Sequence, residues 1–144
     1  MLLSQSCMYG IRASLLVSLR SEKDRESFLP IRHIAEELNV SFHYLTKILQ
    51  VLTQAKIMES YKGPNGGVRM ASPSDEIYLI DIIEAIDGKE VFNSCVLGLP
   101  GCGSELPCPL HEKWGKSMSQ LQDVFQKTSL AKLAKDTSKF VFRF

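Results

Sequence analysis

Two short amphipathic segments, separated by a two-residue break, constrain the fold of this chain more than any other feature. Pro30 suits the first turn of a helix, Asn39 and Val40 form the break, and Ser41 is placed to cap a second helix. The apolar residues at helical spacing are Ile31, Ile34, Ala35 and Leu38 in the first segment and Leu45, Ile48, Leu49 and Leu52 in the second. Two helices joined by so tight a turn predict a helix-turn-helix.

A hairpin is predicted directly after these helices. Two short alternating segments, IMESYKG and GVRMAS, are joined by a GPNGG tip, and Asn65-Gly66 tolerates the positive φ angles of a hairpin turn. A helix-turn-helix followed by a hairpin is the order of a winged helix. We therefore predict a mainly α fold with a small β-hairpin wing.

Four further helices complete the predicted organisation. They are Leu2 to Leu19, Ile77 to Ile86 before Gly88, a long helix from Pro109, and Ser129 to Asp136. The long helix presents an apolar stripe of Leu110, Trp114, Met118, Leu121 and Phe125, for which a second copy of the chain is the simplest partner. The expected units are a winged domain (1–74), a connecting helix (75–93), a cysteine-rich loop (94–111), a dimerisation helix (109–128) and a C-terminal helix with tail (129–144).

Composition indicates a globular protein of the cytoplasm. The 144 residues are 44% hydrophobic and 23% charged, without a signal-peptide pattern or an apolar run of the roughly 20 residues that a membrane span needs. Residues 1–74 carry nine Lys/Arg against six Asp/Glu, an excess too mild to indicate nucleic-acid binding by itself. In a reducing compartment, clustered cysteines are more often metal-binding or redox-active than disulfide-bonded.

Polar residues near the start of the second helix and at the hairpin tip form a candidate DNA-binding face. The helix alone is equally compatible with an ordinary solvated surface, but two cations bracket the side-chain-poor tip, as a minor-groove or phosphate contact requires. No phosphate-loop motif accompanies the tip, which disfavours a nucleotide site. The candidate residues are Ser41, His43, Tyr44, Thr46, Lys47, Lys62, Asn65, Gly66 and Arg69.

Three cysteines and a histidine in the glycine- and proline-rich stretch from 94 to 111 form a candidate metal site. Cys95, Cys102, Cys108 and His111 have the spacing C-x6-C-x5-C-x2-H, which suits tetrahedral zinc and also an iron-sulfur cluster with one histidine ligand. The alternative is three accessible free thiols. Cys7 is expected to be a small buried hydrophobe. No catalytic constellation is present in the sequence, so we do not expect an enzyme.

Together these segments resemble the Rrf2 family of bacterial winged-helix regulators. The similarity is carried by IRHIAEELNVSFHYLTKILQVLTQAKIMES, YKGPNGGVRMA, IYLIDIIEAIDG and CPLHEKW. It implies a homodimer with crossing long helices, each winged domain contacting half of a partly palindromic DNA operator. It also implies that Cys95, Cys102 and Cys108 bind a cluster, with 2Fe-2S favoured over 4Fe-4S. The DNA contacts of the IscR branch match Ser41, His43, Tyr44, Thr46, Lys47 and Lys62.

Some positions depart from the family pattern. Six residues separate the first two cysteines where the family usually has five, and Thr46 replaces a glutamate of the IscR branch. The acidic helix-one ligand of the NsrR branch has no counterpart between Ser6 and Tyr9, which favours His111, the histidine ligand of the IscR branch. Cys7 remains an outside candidate.

The resulting hypothesis is a dimeric winged-helix transcription regulator, acting as a repressor, whose operator binding depends on the state of this metal centre. Two alternatives stay open at this point. One is a zinc-stabilised DNA-binding protein without a sensing role. The other is a small redox or electron-carrier protein whose winged domain binds protein.

Overall fold

The computed structural model describes residues 2–21 and 24–137, and within them the chain is mainly helical with one antiparallel hairpin. The predicted fold class is confirmed. The elements are α1 (Gln5–Ser21), α2 (Ile31–Leu38), α3 (Phe42–Gln54), β1 (Met58–Tyr61), β2 (Gly67–Met70), α4 (Leu79–Asp87), a 3-10 turn (Lys89–Phe92), α5 (His111–Lys127) and α6 (Leu130–Thr137). The tail from 138 to 144 lies outside the described residues. None of the described helices combines the length and apolarity needed to cross a membrane.

Helix α1 lies at the centre and packs against α2, α3, α4, α6 and β2. The sequence predicts its start at Leu2, but the helix begins at Gln5 because Ser4 caps it. The Ser4 hydroxyl accepts from the Cys7 N–H at 3.0 Å, and the Ser4 N–H donates to Asp87 at 2.8 Å. A Cβ at Gly10 would lie 2.3 Å from Ile86 Cδ1, so glycine here lets α4 pack closely on α1.

Helices α2 and α3 form the predicted helix-turn-helix. Asn39 adopts the left-handed conformation at φ 52°, and the Ser41 hydroxyl accepts from the Tyr44 N–H at 3.2 Å, which caps α3 as predicted. Pro30 lies at the N-cap of α2, one residue earlier than predicted. Ile31 is half-buried, and the other seven residues of the two predicted stripes are buried. This apolar face fixes the outer side of α3 toward solvent.

The wing is anchored to the segment that precedes α2. Strands β1 and β2 pair in a register that runs from Met58↔Met70 to Tyr61↔Gly67. Leu29 and Val68 also exchange backbone hydrogen bonds of 2.8 and 2.9 Å, which extends the hairpin toward the helix-turn-helix. The wing therefore has a fixed position relative to α2.

Backbone pairing also explains the start of α4. The sequence predicts a helix from Ile77, but Leu79 donates to the carbonyl of Thr128 at 3.0 Å, and Leu130 donates to the carbonyl of Ile77 at 2.8 Å. Residues 77–79 thus pair with the α5–α6 connection, and the helix begins after them. At the other end of this connection, the Ser129 hydroxyl accepts from the Lys132 N–H at 3.2 Å and caps α6 as predicted.

The apolar stripe of α5 is partly covered within the chain. Helix α5 begins at His111, two residues later than predicted. Met118 is buried, and the centre of the Phe125 ring lies 5.9 Å from that of Phe92 in the 3-10 turn. Part of the predicted stripe is therefore covered by residues of the same chain and does not need a second copy to bury it. Leu110 at 43% and Val124 at 56% stay exposed within the single chain.

We expect Gly67→Ala to destabilise the protein. A Cβ at this position would lie 2.1 Å from the Leu29 carbonyl oxygen, and the backbone has φ +156°. Removing this clash requires Leu29 to move off β2, so we expect a loss of about 1–3 kcal/mol in the free energy of unfolding. Urea denaturation at fixed protein concentration measures it. As the control, Gly115→Ala on α5 meets no atom within 4 Å and should be neutral or stabilising; equal losses in both variants would contradict the assigned contact.

Candidate DNA-binding face and cysteine site

The first turn of α3 is held by contacts with α1. The Tyr44 hydroxyl lies 3.0 Å from the Ser6 hydroxyl, and the Tyr44 ring meets the Tyr9 ring edge-on at 5.9 Å. Tyr44 is consequently half-buried, whereas His43 and Lys47 are exposed on the outer side of the same helix. The amino end of α3 is thereby fixed in orientation while its polar side chains face solvent.

Two of the predicted polar residues already use their hydroxyl groups within the chain. Ser41 caps α3, and the Thr46 hydroxyl donates to the Phe42 carbonyl at 2.7 Å. The Ser41 hydroxyl accepts in its bond and keeps its O–H free to donate, whereas the Thr46 hydroxyl has used its O–H and can only accept further. His43 and Lys47 on α3, together with the Ser41 O–H at its N-cap, therefore remain available as donors.

The two cations that bracket the wing tip have different surroundings. Lys62 is exposed, and no described carboxylate pairs with it. Arg69 instead forms an ion pair with Glu59 at 2.9 Å, and its guanidinium lies 4.6 Å from the centre of the Phe28 ring. Arg69 thus braces the hairpin, and its contact with DNA stays a prediction.

The tip itself is compact and lies at the surface. Asn65 is exposed, and the Gly66 N–H donates to the Gly63 carbonyl at 2.9 Å. The positive φ angles expected at Asn65 and Gly66 occur instead at Gly63 and Gly67, and glycine is needed at position 66 because a Cβ there would lie 2.3 Å from the Tyr61 carbonyl oxygen. The tip is therefore narrow enough to approach a backbone closely.

The three loop cysteines converge. The sulfur atoms of Cys95, Cys102 and Cys108 all lie within 4.8 Å of one another. Gly98 at φ 60° and Gly101 at φ 72° supply the left-handed turns that fold the loop back on itself. The structure therefore brings together the three thiols that the sequence singled out.

His111 stands at the edge of this group. The imidazole Nδ1 of His111 lies 3.5 Å from Cys102 Sγ. At the start of α5, the backbone N–H of His111 donates to the Cys108 carbonyl at 2.9 Å. Trp114, one turn later, donates from Nε1 to the Ser94 carbonyl at 2.9 Å. Sequence analysis missed this tether, because spacing cannot reveal that an indole reaches back across the loop.

Backbone N–H groups favour the thiolate of Cys95. Hydrogen bonds from Leu99 and then Leu97 lower the pKa of Cys95 to about 7. The Cys108 N–H also lowers the pKa of Cys102, but burial and the neighbouring Cys108 and Cys95 thiols together raise it above the ordinary value. One thiolate among close thiols is a suitable starting state for a soft metal.

The site has room for an inorganic group. A cavity of about 350 Å³ is bordered by the three cysteines and His111, with Phe92 and Trp114 among its walls. With Zn–S distances of about 2.3 Å, two sulfurs on one tetrahedral ion lie about 3.8 Å apart, so the spacing suits a single ion as well as a small cluster after modest adjustment. The donor set and the cavity therefore fit a bound metal group.

Cys7 is separate from this site, as predicted. It is fully buried beside Ile80, Ile83 and Phe92. Burial, followed by the charge and hydrogen bond of Asp87, raises the pKa of Cys7 to about 12. It is a core thiol rather than a ligand among the described residues.

Comparisons with known proteins agree with this architecture. The sequence model of the Rrf2 family, described as "Iron-dependent Transcriptional regulator", matches residues 3–136. A putative HTH-type transcriptional regulator of Aquifex aeolicus is 28% identical and covers 99% of this chain and 97% of its own length. The HTH-type transcriptional regulator IscR of Vibrio campbellii is 28% identical over 94% of this chain and 79% of its own.

Solved structures show the same fold. CymR, the global cysteine regulator of B. subtilis, matches with a TM-score of 0.77 and 27% identity over 94% of this chain and 97% of that chain. IscR of T. potens matches with a TM-score of 0.76 and 24% identity over 97% of this chain and 90% of that chain. Both support the winged architecture derived above.

We expect the four thiols to divide into a reactive and an unreactive class. In the metal-free folded protein near pH 8, Cys95, Cys102 and Cys108 should react with a disulfide reagent because they are partly exposed, and Cys95 should react faster than Cys102 because its pKa is lowered whereas that of Cys102 is raised. Cys7 should react only after unfolding, because its thiolate is scarce and its sulfur is buried. Stopped-flow absorbance, followed by peptide mass mapping, measures this. Rapid labelling of Cys7 in folded protein would contradict the assignment.

Proposed function

The chain belongs to the Rrf2 family of DNA-binding transcriptional regulators, which are not enzymes, and we propose from this premise that an iron-sulfur cluster controls its binding to operator DNA. The cluster ligands are Cys95, Cys102 and Cys108, with His111 as the fourth, and the favoured type is 2Fe-2S. The expected regulatory mode is repression. The family's description as iron-dependent supports iron over other metals.

One observation carries the proposal: three thiols converge within 4.8 Å beside a cavity that also reaches a histidine. Thiolate sulfur is the usual ligand of iron-sulfur clusters, and histidine replaces cysteine on one iron in some of them. When bound, the cluster would supply redox and ligand-exchange chemistry. The chain would supply the ligands, the loop that holds them and a route to the DNA-binding face.

That route is short. The loop is tied to α5 by Trp114 and leaves the 3-10 turn whose Phe92 packs on Phe125. Helix α4 contacts both the 3-10 turn and α5 on one side and α3 on the other. A change in the conformation of the cysteine loop could therefore reach the recognition helix α3 through the contacts of the 3-10 turn and α5 with α4, and of α4 with α3. A coupling of about 1–3 kcal/mol changes operator affinity roughly 5- to 150-fold, which is sufficient for a switch.

The proposed assembly is a homodimer on a partly palindromic operator. Dimeric helix-turn-helix proteins place two recognition helices in successive major grooves, and the two-fold axis of the protein matches that of the DNA. Leu110, at the N-cap of α5, and Val124, within α5, are exposed and offer apolar surface to a second copy. The distance between the two copies of α3 then becomes the quantity that the cluster loop adjusts.

A zinc-stabilised DNA-binding protein is the second candidate. It is favoured by the spacing of the three sulfurs, which suits one tetrahedral ion. In that case the metal would order the loop without sensing. Metal analysis separates this candidate directly from the first.

We expect Cys102→Ser to abolish cluster binding. Protein purified without oxygen should absorb visible light and contain about two iron and two sulfide per chain, whereas the variant should contain neither because a thiolate ligand is lost. Operator affinity in the variant should match that of wild type stripped of metal and differ from the loaded protein by roughly 5- to 150-fold.

Cys7→Ala is the matched control, since it removes a cysteine outside the site and should retain iron. Colourless wild-type protein with stoichiometric zinc would favour the second candidate. Identical operator affinity with and without metal would contradict the sensing role.

We expect Lys47→Ala and Lys62→Ala to weaken DNA binding. Both side chains are exposed on the candidate face, and each lost phosphate contact should reduce the slope of log K against log salt by about 0.9. Fluorescence anisotropy across a salt series measures both affinity and slope. Lys116→Ala on α5 removes the same charge away from that face and should change neither. Unchanged affinity in both test variants would contradict the proposed DNA-binding face.

A further inference from the structure

A trough runs between α3 and the wing. It encloses about 720 Å³ and has three walls: the first turn of α2, the outer side of α3 and the end of β1 with the hairpin tip. Among the described residues that line it, the charged ones are Arg32 and Lys62, and none is acidic. The trough therefore has cations on two of its walls and no carboxylate among its described lining residues.

Its position on a DNA-binding face determines what it would meet. A recognition helix lies in the major groove and a wing approaches the adjacent minor groove. The two grooves of a duplex are separated by one phosphodiester strand. A trough between α3 and the wing must therefore straddle that strand, and its lack of acidic residues suits a polyanion.

Arg32 is held at the rim by an aromatic ring. Its Cζ lies 5.7 Å from the centre of the Phe42 ring, and the His43 ring meets the Phe42 ring edge-on at 5.7 Å. Phe42 is 40% exposed although it is a large apolar residue. Stacking engages the face of a guanidinium and leaves the in-plane N–H groups free to donate. The ring thus orients a donor without neutralising it.

Two other arginines of the winged half differ in this respect, whereas Arg12 also lies over a ring, that of Tyr9 at 5.5 Å, but does not line the trough. Arg20 pairs with Glu37 at 2.8 Å, and Arg69 pairs with Glu59 at 2.9 Å. No described carboxylate forms an ion pair with Arg32. An exposed arginine that is positioned by a ring and lacks an internal anion is available for an external one.

We infer that Arg32, oriented by Phe42, donates to the phosphodiester strand lying in this trough, with Lys62 contacting the same strand from the wing. The inference rests on the DNA-binding face assigned under the proposed function and adds a contact from α2 to it. Because phosphate oxygens are alike at every step of the duplex, this contact fixes the position of α3 and the wing without reading sequence.

The test measures Arg32→Ala on two duplexes, a selected operator and an unrelated sequence of equal length. We expect both affinities to fall by the same factor, on the order of tenfold near 0.1 M salt, and the salt slope to fall by about 0.9. Phe42→Leu keeps the apolar volume but removes the ring face. It should weaken both duplexes in the same direction by a smaller factor, with the salt slope unchanged because the cation remains.

Lys116→Ala serves as the charge control, and Lys47→Ala reports on the face itself. If Arg32→Ala changes neither affinity nor slope while Lys47→Ala weakens binding, the inference is overturned and the face stands. If neither Arg32→Ala nor Lys47→Ala weakens binding, the face and the inference fall together. A loss confined to the operator would overturn the phosphate assignment, because it would show that Arg32 reads bases.

Discussion

The close packing of α1 against both halves of the chain is the interaction on which the rest of the structure depends. Helix α1 contacts α2, α3 and β2 on the winged side and α4 and α6 on the other. Near its start, Gly10 leaves room for Ile86 of α4 and Ile48 of α3 to meet the same turn of backbone. Because protein interiors are densely packed, a shift of α4 cannot be absorbed at this point without moving α3 or α1. This packing thus connects the elements that carry the cysteine loop with the elements that carry the candidate DNA-binding face.

The tip of the wing and the cysteine loop depend on backbone geometry, although Met58 and Val68 in the strands of the wing are buried in the core. In the wing, glycines let Leu29 pair with Val68 and close the turn at the tip. In the cysteine loop, Val96, Leu97, Leu99 and Leu106 are all exposed, so the loop has little core of its own. Segments with few buried contacts lie at the low end of local stability. A bound metal would have a large effect on such a loop, because the free energy of binding becomes free energy of ordering.

Periodicity and cap chemistry allowed the helical core to be predicted from the sequence. Contacts between residues distant in sequence could not be predicted in this way. The stripes from Ile34 to Leu52 and the Ser41 cap follow from local rules and are confirmed. The predicted starts of α1 and α4 are two or three residues too early, because Ser4 bonds to Asp87 and Ile77 pairs with Leu130 across long sequence separations. The convergence of the cysteines was predicted from their spacing and flanking glycines. The ion pair of Arg69 with Glu59 and the contact of Arg32 with the Phe42 ring were not predicted, since each partner lies on another element.

The division of the α5 stripe has a consequence for signalling. Had the whole stripe faced a second copy, the cysteine loop could move without disturbing the winged half of its own chain. Instead Met118 is buried, and Phe125 packs on Phe92, so α5 is seated on the 3-10 turn and α4. The exposed Val124 lies next to Phe125 along the same helix, so one rigid element joins the intrachain packing to surface available for a partner. In the homodimer proposed above, displacement of the loop at the amino end of α5 would therefore change the packing beneath α3, the contact between the two copies, or both.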